Sequence, residues 1–452
     1  MSKRQMKLGA FFMLPGQHVA SWRAPQTESH RAWTLPYLAE LAQIAERGKF
    51  DTIFFADAYG EDVQEHSPSS WKLDPLIVIT ALAAVTKHIG LTATVSTTYN
   101  EPYQVARQFA AVDYLSGGRA AWNVVTTSNA DAAALFGKDQ HLQHAIRYKR
   151  AEEFVDVVKK LWHSRELESL VINKETGQFY NLDHVHRVEH DGEFFKVHGY
   201  LDATATPQGH PVIVQAGSSE PGKELAARTA EVIFTAWQTL EDAQKFYRDV
   251  KGRLAKYGRR KDELLIMPGV FITVAKTEEE ARAKQKQLNS YILPEVGLQY
   301  LSRFLGVDVS KLDPDGPIPE LAEYTLDRTD PRIRANIIKG IAERHGYTKV
   351  RELYEHIAGA RGHREIVGTP QQIADYLQEW FENEAADGFN IMPPTFPQGL
   401  QDIVDLVIPE LQRRGLFRTE YEGKTLRENL GLPKGTYPHQ ATNIPYQQRE
   451  IG

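Results

Sequence analysis

Small polar residues follow four of the apolar runs that predict β-strands in the first half of the chain. Asp57 comes directly after one run, residues 96–99 follow the next, residues 123–128 surround the end of a third, and residues 216–219 follow a fourth. Apart from one carboxylate these groups are neutral, whereas hydrolytic acid–base chemistry usually needs paired carboxylates or a metal. The pattern therefore favours a flat polar cofactor, although serines and threonines also end strands and cap helices.

A candidate phosphate site lies in residues 214–224, where an apolar strand leads into a small-residue turn and then a predicted helix. Backbone N–H groups at a helix start, with the hydroxyls of Ser218 and Ser219 beside them, suit a phosphate. Residues 217–223 also match most of a nucleotide-binding P-loop, but Glu224 stands where that loop needs Ser or Thr for magnesium. The sequence therefore predicts a phosphate site that does not belong to an NTPase.

His144 and Tyr148 are separated by one helical turn at the predicted start of the helix after the fourth strand. Side chains at i and i+4 share a helix face, so both could donate hydrogen bonds to one phosphate. The same spacing fits a partly exposed pair on an amphipathic helix equally well. Spacing alone does not decide between the two interpretations.

A second group of histidines, His184, His186 and His190, lies between Asp183 and Asp191 in a polar segment. Alternate histidines on a strand can share a metal ion. This segment lies away from the predicted strand ends, however, and ordinary surface histidines explain it, so we predict no metal site. The chain contains no cysteine, which excludes disulfides, thiolate nucleophiles and cysteine-based metal centres.

The elements that must position these residues are eight apolar, strand-like runs separated by segments of helical periodicity. The runs occupy residues 8–13, 52–56, 91–95, 120–125, 211–215, 232–236, 264–275 and 388–392. Strands that alternate with helices pair in parallel, in a doubly wound sheet or in a barrel. The count of eight, and the absence of a Rossmann glycine motif after the first strand, favour an α/β fold of the (β/α)8 TIM-barrel type.

We expect one barrel domain over residues 1–452, with two stretches that interrupt the alternation of strands and helices. These are insertions at about residues 164–210 and 290–365, and a C-terminal extension covers about residues 416–452. Long insertions in such barrels commonly act as lids or as contacts between subunits.

Composition excludes several classes of protein. The net charge of −6 gives no electrostatic case for nucleic acid binding. No apolar stretch approaches the ~20 residues of a membrane span. Three basic residues precede the apolar residues 8–14 in the manner of a signal peptide, but the run is short and lacks a clear cleavage site, so we interpret it as a buried first strand. We expect a cytoplasmic protein.

Short sequence segments along nearly the whole chain resemble, in the same order, segments of the luciferase-like flavin-dependent monooxygenases. The similarity is greatest to the group that acts on nitrilotriacetate, EDTA and dibenzothiophene sulfone, which also includes long-chain alkane monooxygenase. The matching strings lie at residues 46–51, 115–119, 121–126, 144–148, 215–219, 385–389, 409–415 and 425–428. So many strings in order are far more specific than any single motif.

The resemblance implies an enzyme that takes reduced FMN from a separate NAD(P)H:flavin reductase. It inserts one oxygen atom of O2 into a small organic substrate through a flavin C4a-(hydro)peroxide, and forms a homodimer or homotetramer. Its flavin-contacting positions map to Asp57, Thr94, His144, Tyr148 and Ser218. We assign the phosphate to Ser218, His144 and Tyr148, with Ser219 adjacent, and the ring or ribityl chain to Asp57, Thr94 and Asn123.

The N-terminal segment departs from the pattern of the group. Relatives carry histidine shortly before a Trp-Arg pair, and here His18 precedes Trp22 and Arg23 at a slightly different spacing. His18 is therefore only a weak candidate for a catalytic base, and substrate specificity does not carry over. Two alternative functions remain: hydride transfer with a deazaflavin or flavin and without oxygen, and flavin binding without catalysis.

Overall fold

The barrel is visible in a computed structural model that describes residues 4–61, 63–319 and 331–436, without side chains for residues 331–337. Residues 320–330 of the predicted insertion at 290–365 and residues 437–452 of the predicted C-terminal extension lie outside the described residues. The strands are β1 (Lys7–Phe11), β2 (Thr52–Phe55), β3 (Gly90–Ser96), β4 (Ala120–Val125), β5 (Leu170–Asn173), β6 (Gln178–Tyr180), β7 (Val188–Asp191), β8 (Lys196–Gly199), β9 (Val212–Gln215), β10 (Val232–Thr235), β11 (Leu265–Val274), β12 (Arg364–Gly368) and β13 (Gly388–Met392).

Eight of these strands form a closed parallel barrel in the order β1-β2-β3-β4-β9-β10-β11-β13, and β13 returns to pair with β1. They are the eight strands predicted from the apolar runs, so the TIM-barrel prediction is confirmed. A ninth strand, β12, was not predicted. It pairs in parallel with the last five residues of β11, outside the barrel closure.

The described residues also form fifteen α-helices, several of which pack on the outside of the barrel. They are α1 (Leu35–Arg47), α2 (Pro75–Ala83), α3 (Pro102–Leu115), α4 (Ala132–Leu135), α5 (His144–Trp162), α6 (Glu220–Thr229), α7 (Leu240–Arg253), α8 (Glu278–Asn289), α9 (Pro294–Leu305), α10 (Pro331–His345), α11 (Val350–Ala360), α12 (Pro370–Glu382), α13 (Gln398–Asp402), α14 (Ile408–Arg413) and α15 (Leu426–Leu430). The local sequence determines where α2 begins, because the Asp74 carboxylate accepts hydrogen bonds from the first N–H groups of the helix and Pro75 occupies its first turn.

Side-chain alternation along each strand separates an outer core from an inner one. On β3, Leu91, Ala93 and Val95 pack outward against helices, so Thr92 and Thr94 face the interior. Three aromatic rings fill the middle of the barrel. The ring centroids of Phe11 and Phe234 lie 5.4 Å apart, and both rings contact that of Phe54.

The amino-terminal end of the barrel is closed by the short C-terminal helix α15. Leu426 and Leu430 join the inner core, and a Cβ on Gly90 would lie 2.4 Å from the Leu426 side chain. Arg427 is buried against Glu231, with Nη2 at 2.9 Å from Oε2. The functional face is therefore the opposite, carboxyl end of the strands.

Two stretches extend from the barrel. Between α5 and β9 the chain forms two antiparallel hairpins, β5–β6 and β7–β8. Between α8 and β12, helices α9 and α11 pack together around a separate apolar cluster that also includes Val19 and Ala20 of the N-terminal loop. This second stretch therefore rests on the loop that follows β1.

Within the described parts of the chain, no helix combines the length and the apolar character that crossing a bilayer requires.

Candidate active site

Thr94 and Asn123 lie side by side on the adjacent strands β3 and β4, facing the interior near the carboxyl end. The Thr94 hydroxyl donates to the Phe55 carbonyl at 2.8 Å and accepts from Asn123 Nδ2 at 2.8 Å. Both side chains are buried, yet Asn123 Oδ1 has no hydrogen-bond partner among the residues that the structure describes. Since buried polar groups are normally satisfied, this oxygen fits a bound molecule that brings an N–H or O–H donor.

Asp57 follows β2 and lines a cavity of about 190 Å³ at the carboxyl ends of β1 and β2. Burial raises the pKa of its carboxyl above the usual value, and the nearby Lys72 partly offsets that effect. Lys72 Nζ lies 3.8 Å from Asp57 Oδ1 and 2.9 Å from Glu61 Oε2. The cavity is otherwise walled mainly by aromatic and aliphatic side chains, which include Phe12, Met13, Leu14, Trp33, Phe55 and Trp71.

The phosphate candidates lie on the loops and helices that follow two neighbouring strands, β4 and β9. Ser219 caps α6 by accepting from the Gly222 N–H at 3.3 Å, while Ser218 is exposed beside it. His144 begins α5, and its ring lies 4.8 Å from that of Tyr148. Because α5 and α6 pack together and both begin at the barrel mouth, Ser218 and the His144–Tyr148 pair belong to the same side of it.

A buried polar network, missed by the sequence analysis, supports the loop after β4. Thr127 adopts a left-handed backbone conformation, with φ of 50°, and its hydroxyl bonds to that of Ser96 at 2.6 Å. The Arg147 guanidinium of α5 donates to the carbonyls of Thr126 and Thr127. His141 contacts the Thr127 carbonyl at 3.1 Å. These hydrogen bonds fix the position of the loop that connects β4, which carries Asn123, to the start of α5.

His18 is buried and both of its ring nitrogens are engaged. Nδ1 accepts from the Ala20 N–H at 3.1 Å, so Nε2 carries the proton and donates to Asn289 Oδ1 at 3.0 Å. Burial lowers its pKa to about 4, which keeps the ring neutral. Acting as a base would require Nδ1 to release the Ala20 amide, and His18 remains an untested candidate.

The histidines of the hairpin region pair with carboxylates. His184 and His186 both contact Glu166, at 2.9 and 2.5 Å, whereas His190 lies 3.0 Å from Glu153 on α5. No group of three or more metal-binding side chains is arranged around a common point in residues 4–61, 63–319 and 338–436. The contact of His190 with Glu153 joins the hairpin β7–β8 to α5, whereas Glu166, His184 and His186 all lie within the inserted segment.

The comparisons with known proteins agree with the barrel fold. A family model described as luciferase-like monooxygenase matches residues 13–387. The chain is 51% identical to N-acetyl-S-(2-succino)cysteine monooxygenase of Bacillus subtilis, over 96% of this chain and 98% of the relative. It is 49% identical to nitrilotriacetate monooxygenase component A of Aminobacter aminovorans, again over 96% and 98%.

A similar solved structure is that of a riboflavin lyase, which holds a modified FMN and its substrate riboflavin. The two chains are 32% identical and superpose with a TM-score of 0.82, over 95% of this chain and 96% of the other. The similarity to the nitrilotriacetate monooxygenase group expected from the sequence is thus confirmed.

Proposed function

The chain belongs to the luciferase-like monooxygenases, and from this premise we propose that it uses reduced FMN and O2 to insert one oxygen atom into a small organic substrate. The observation that carries the choice of cofactor is the buried, unpaired Asn123 oxygen near the carboxyl end of β4, which can accept a hydrogen bond from a bound ring. A flavin ring presents both N–H donors and carbonyl acceptors. The FMN in the riboflavin lyase supports the same choice.

In this proposal Asp57, Thr94 and Asn123 hold the ring or ribityl chain, while Ser218 and Ser219 at the start of α6, with His144 and Tyr148, hold the phosphate. The positive end of the α6 dipole adds to that attraction. Bound reduced flavin supplies the electrons that activate oxygen. The task of the protein is to orient the ring and to exclude water from the cavity beside Asp57.

Electrons would reach the chain as reduced flavin made by a separate NAD(P)H:flavin reductase. The sequence has no dinucleotide-binding glycine motif, and the name of the nitrilotriacetate enzyme identifies it as component A of a system. We further propose a homodimer or homotetramer in the cytoplasm, where a chain without cysteine needs no oxidising compartment.

Anaerobic titration with FMNH2, followed by calorimetry, tests the cofactor. We expect saturation at one FMNH2 per chain, with weaker binding of FAD and of a reduced deazaflavin. Equal or tighter binding of FAD would contradict a site that ends at a single phosphate. Equal or tighter binding of the reduced deazaflavin would favour hydride transfer as the function.

A further inference from the structure

Arg361 occupies an unusual backbone position at the edge of the cavity that Asp57 lines. It ends α11 in the left-handed conformation, with φ of 50°, and Gly362 follows at 80°. Residues other than glycine adopt this region uncommonly, and such strain often persists where a side chain serves a site.

The Arg361 guanidinium is held in place without a carboxylate partner. Its Nε donates to the Gln17 carbonyl at 2.8 Å, and Nη1 donates to the Tyr300 hydroxyl at 2.7 Å. Across the described residues, no aspartate or glutamate forms an ion pair with it, and Nη2 has no hydrogen bond. The other cation of the cavity, Lys72, is already neutralised by Glu61 and Asp57. A partly buried cation without a counter-ion favours an incoming anion.

We propose that Arg361 binds a carboxylate of the substrate, so that the enzyme acts on small organic carboxylic acids. A carboxylate matches the planar fork of a guanidinium, and the apolar wall suits the rest of such a molecule. The inference rests on the proposed function, because Arg361 lines the same cavity as Asp57, which we assign to the flavin ring.

Acid binding to flavin-free protein tests the inference separately from catalysis. Trp33 and Trp71 line the cavity, so quenching of tryptophan fluorescence reports occupancy. The probes are a panel of small thioether, aliphatic and aromatic mono- and dicarboxylic acids, each beside its methyl ester. We expect at least one acid to bind more than tenfold tighter than its ester, and Arg361→Gln to remove that preference.

Two further variants separate binding from folding. Arg361→Gly suits the left-handed backbone, so it should keep the melting temperature while losing the acid preference. Arg351→Gln on the same helix removes an arginine that is already paired with Asp315 at 2.9 Å, and it should leave acid affinity unchanged.

The inference is overturned if no acid binds better than its ester, or if Arg361→Gln binds acids as the wild type does. FMNH2 titration of the same proteins distinguishes the two proposals. Acid binding without FMNH2 binding would contradict the proposed function and support the anion site at Arg361. FMNH2 binding without a preference for acids would contradict the anion site and support the proposed function.

Discussion

At the residue scale, the candidate site consists of groups whose interactions within the chain are incomplete. Asn123 Oδ1 is buried without a partner, and Asp57 is a partly desolvated carboxylate whose pKa burial raises. The Arg361 guanidinium has no carboxylate beside it in the described residues. Perturbed and unsatisfied groups of this kind concentrate at functional sites, where a ligand completes them.

Replacing Asn123 by leucine should separate binding from stability. Asn123→Leu removes an unsatisfied buried oxygen and keeps the volume, so we expect the melting temperature to hold or rise. We expect FMNH2 affinity to fall about tenfold, which corresponds to one lost hydrogen bond of about 1.4 kcal/mol. The matched control is Thr92→Val, two residues deeper on β3, where the hydroxyl bonds only within the barrel to Thr52 at 2.8 Å. Equal loss of FMNH2 affinity in both variants would contradict the role of Asn123.

The phosphate assignment predicts a selective loss of affinity. Ser218→Ala and Tyr148→Phe should each weaken FMNH2 binding by about 1.5–3 kcal/mol, roughly ten- to a hundredfold, because a hydrogen bond to a charged group is lost. Reduced riboflavin, which has no phosphate, should bind almost as before. Ser219→Ala removes the α6 cap and should also lower the melting temperature. If both flavins weaken equally, these residues hold the ring or the fold instead.

Candidate residues at strand ends can be predicted from the sequence more readily than the residues that support them. Asn123 and Asp57 follow from the position of apolar runs, whereas Thr94 came from resemblance alone, because alternation along β3 had not been resolved to a face. Arg147 was missed because its partners are backbone carbonyls of a loop 20 residues earlier. A bond of that kind depends on the tertiary path of the loop, which no local pattern encodes.

At the element scale, apolar runs predicted all eight barrel strands because each is buried on both faces. The strand β12 was missed because it begins with Arg364 and Glu365 and is only half-buried. The helix α15 was missed as a closing element, since five residues carry too little periodicity to show a face. Its capping box, Thr425 with Glu428, is visible in the sequence but does not indicate what the helix covers.

The buried Arg427–Glu231 pair anchors α15 and predicts that the free energy of unfolding depends on pH. Burial by itself raises the pKa of Glu231, but the charge of Arg427, with His210, outweighs it and holds that pKa well below the usual value. The pair therefore contributes stability that is present above the glutamate pKa of about 4.3 and is lost as pH falls below it. We expect Arg427→Gln to cost about 3–5 kcal/mol in the free energy of unfolding at neutral pH.

Denaturant melts across pH check this expectation. The deficit of Arg427→Gln should shrink as the pH approaches 4, since Glu231 of the variant, which no longer has the charge of Arg427 beside it, can then protonate. Arg47→Gln serves as the control, because Arg47 and Asp405 form a half-exposed pair that should contribute less than about 1 kcal/mol. A deficit that is independent of pH would show that Arg427 acts by packing alone.

At the scale of the whole molecule, the proposed site is one for reduced flavin, and the sequence contains no dinucleotide-binding glycine motif for nicotinamide. We therefore expect the purified chain with NADH and FMN to leave every substrate unchanged until a flavin reductase is added. Oxidation of NADH, followed at its absorbance band, checks this directly. Rapid NADH oxidation by the chain alone would contradict the proposal that a separate reductase supplies the reduced flavin.

One oxygen atom of O2 should enter the substrate, and isotope labelling measures this transfer. The chain, a flavin reductase, NADH and FMN are incubated under labelled O2 with the panel of small acids, and products are identified by mass spectrometry. We predict a product that carries one labelled oxygen atom and that forms only when the reductase is present. A product reduced rather than oxygenated, or one whose new oxygen comes from water, would contradict the claim.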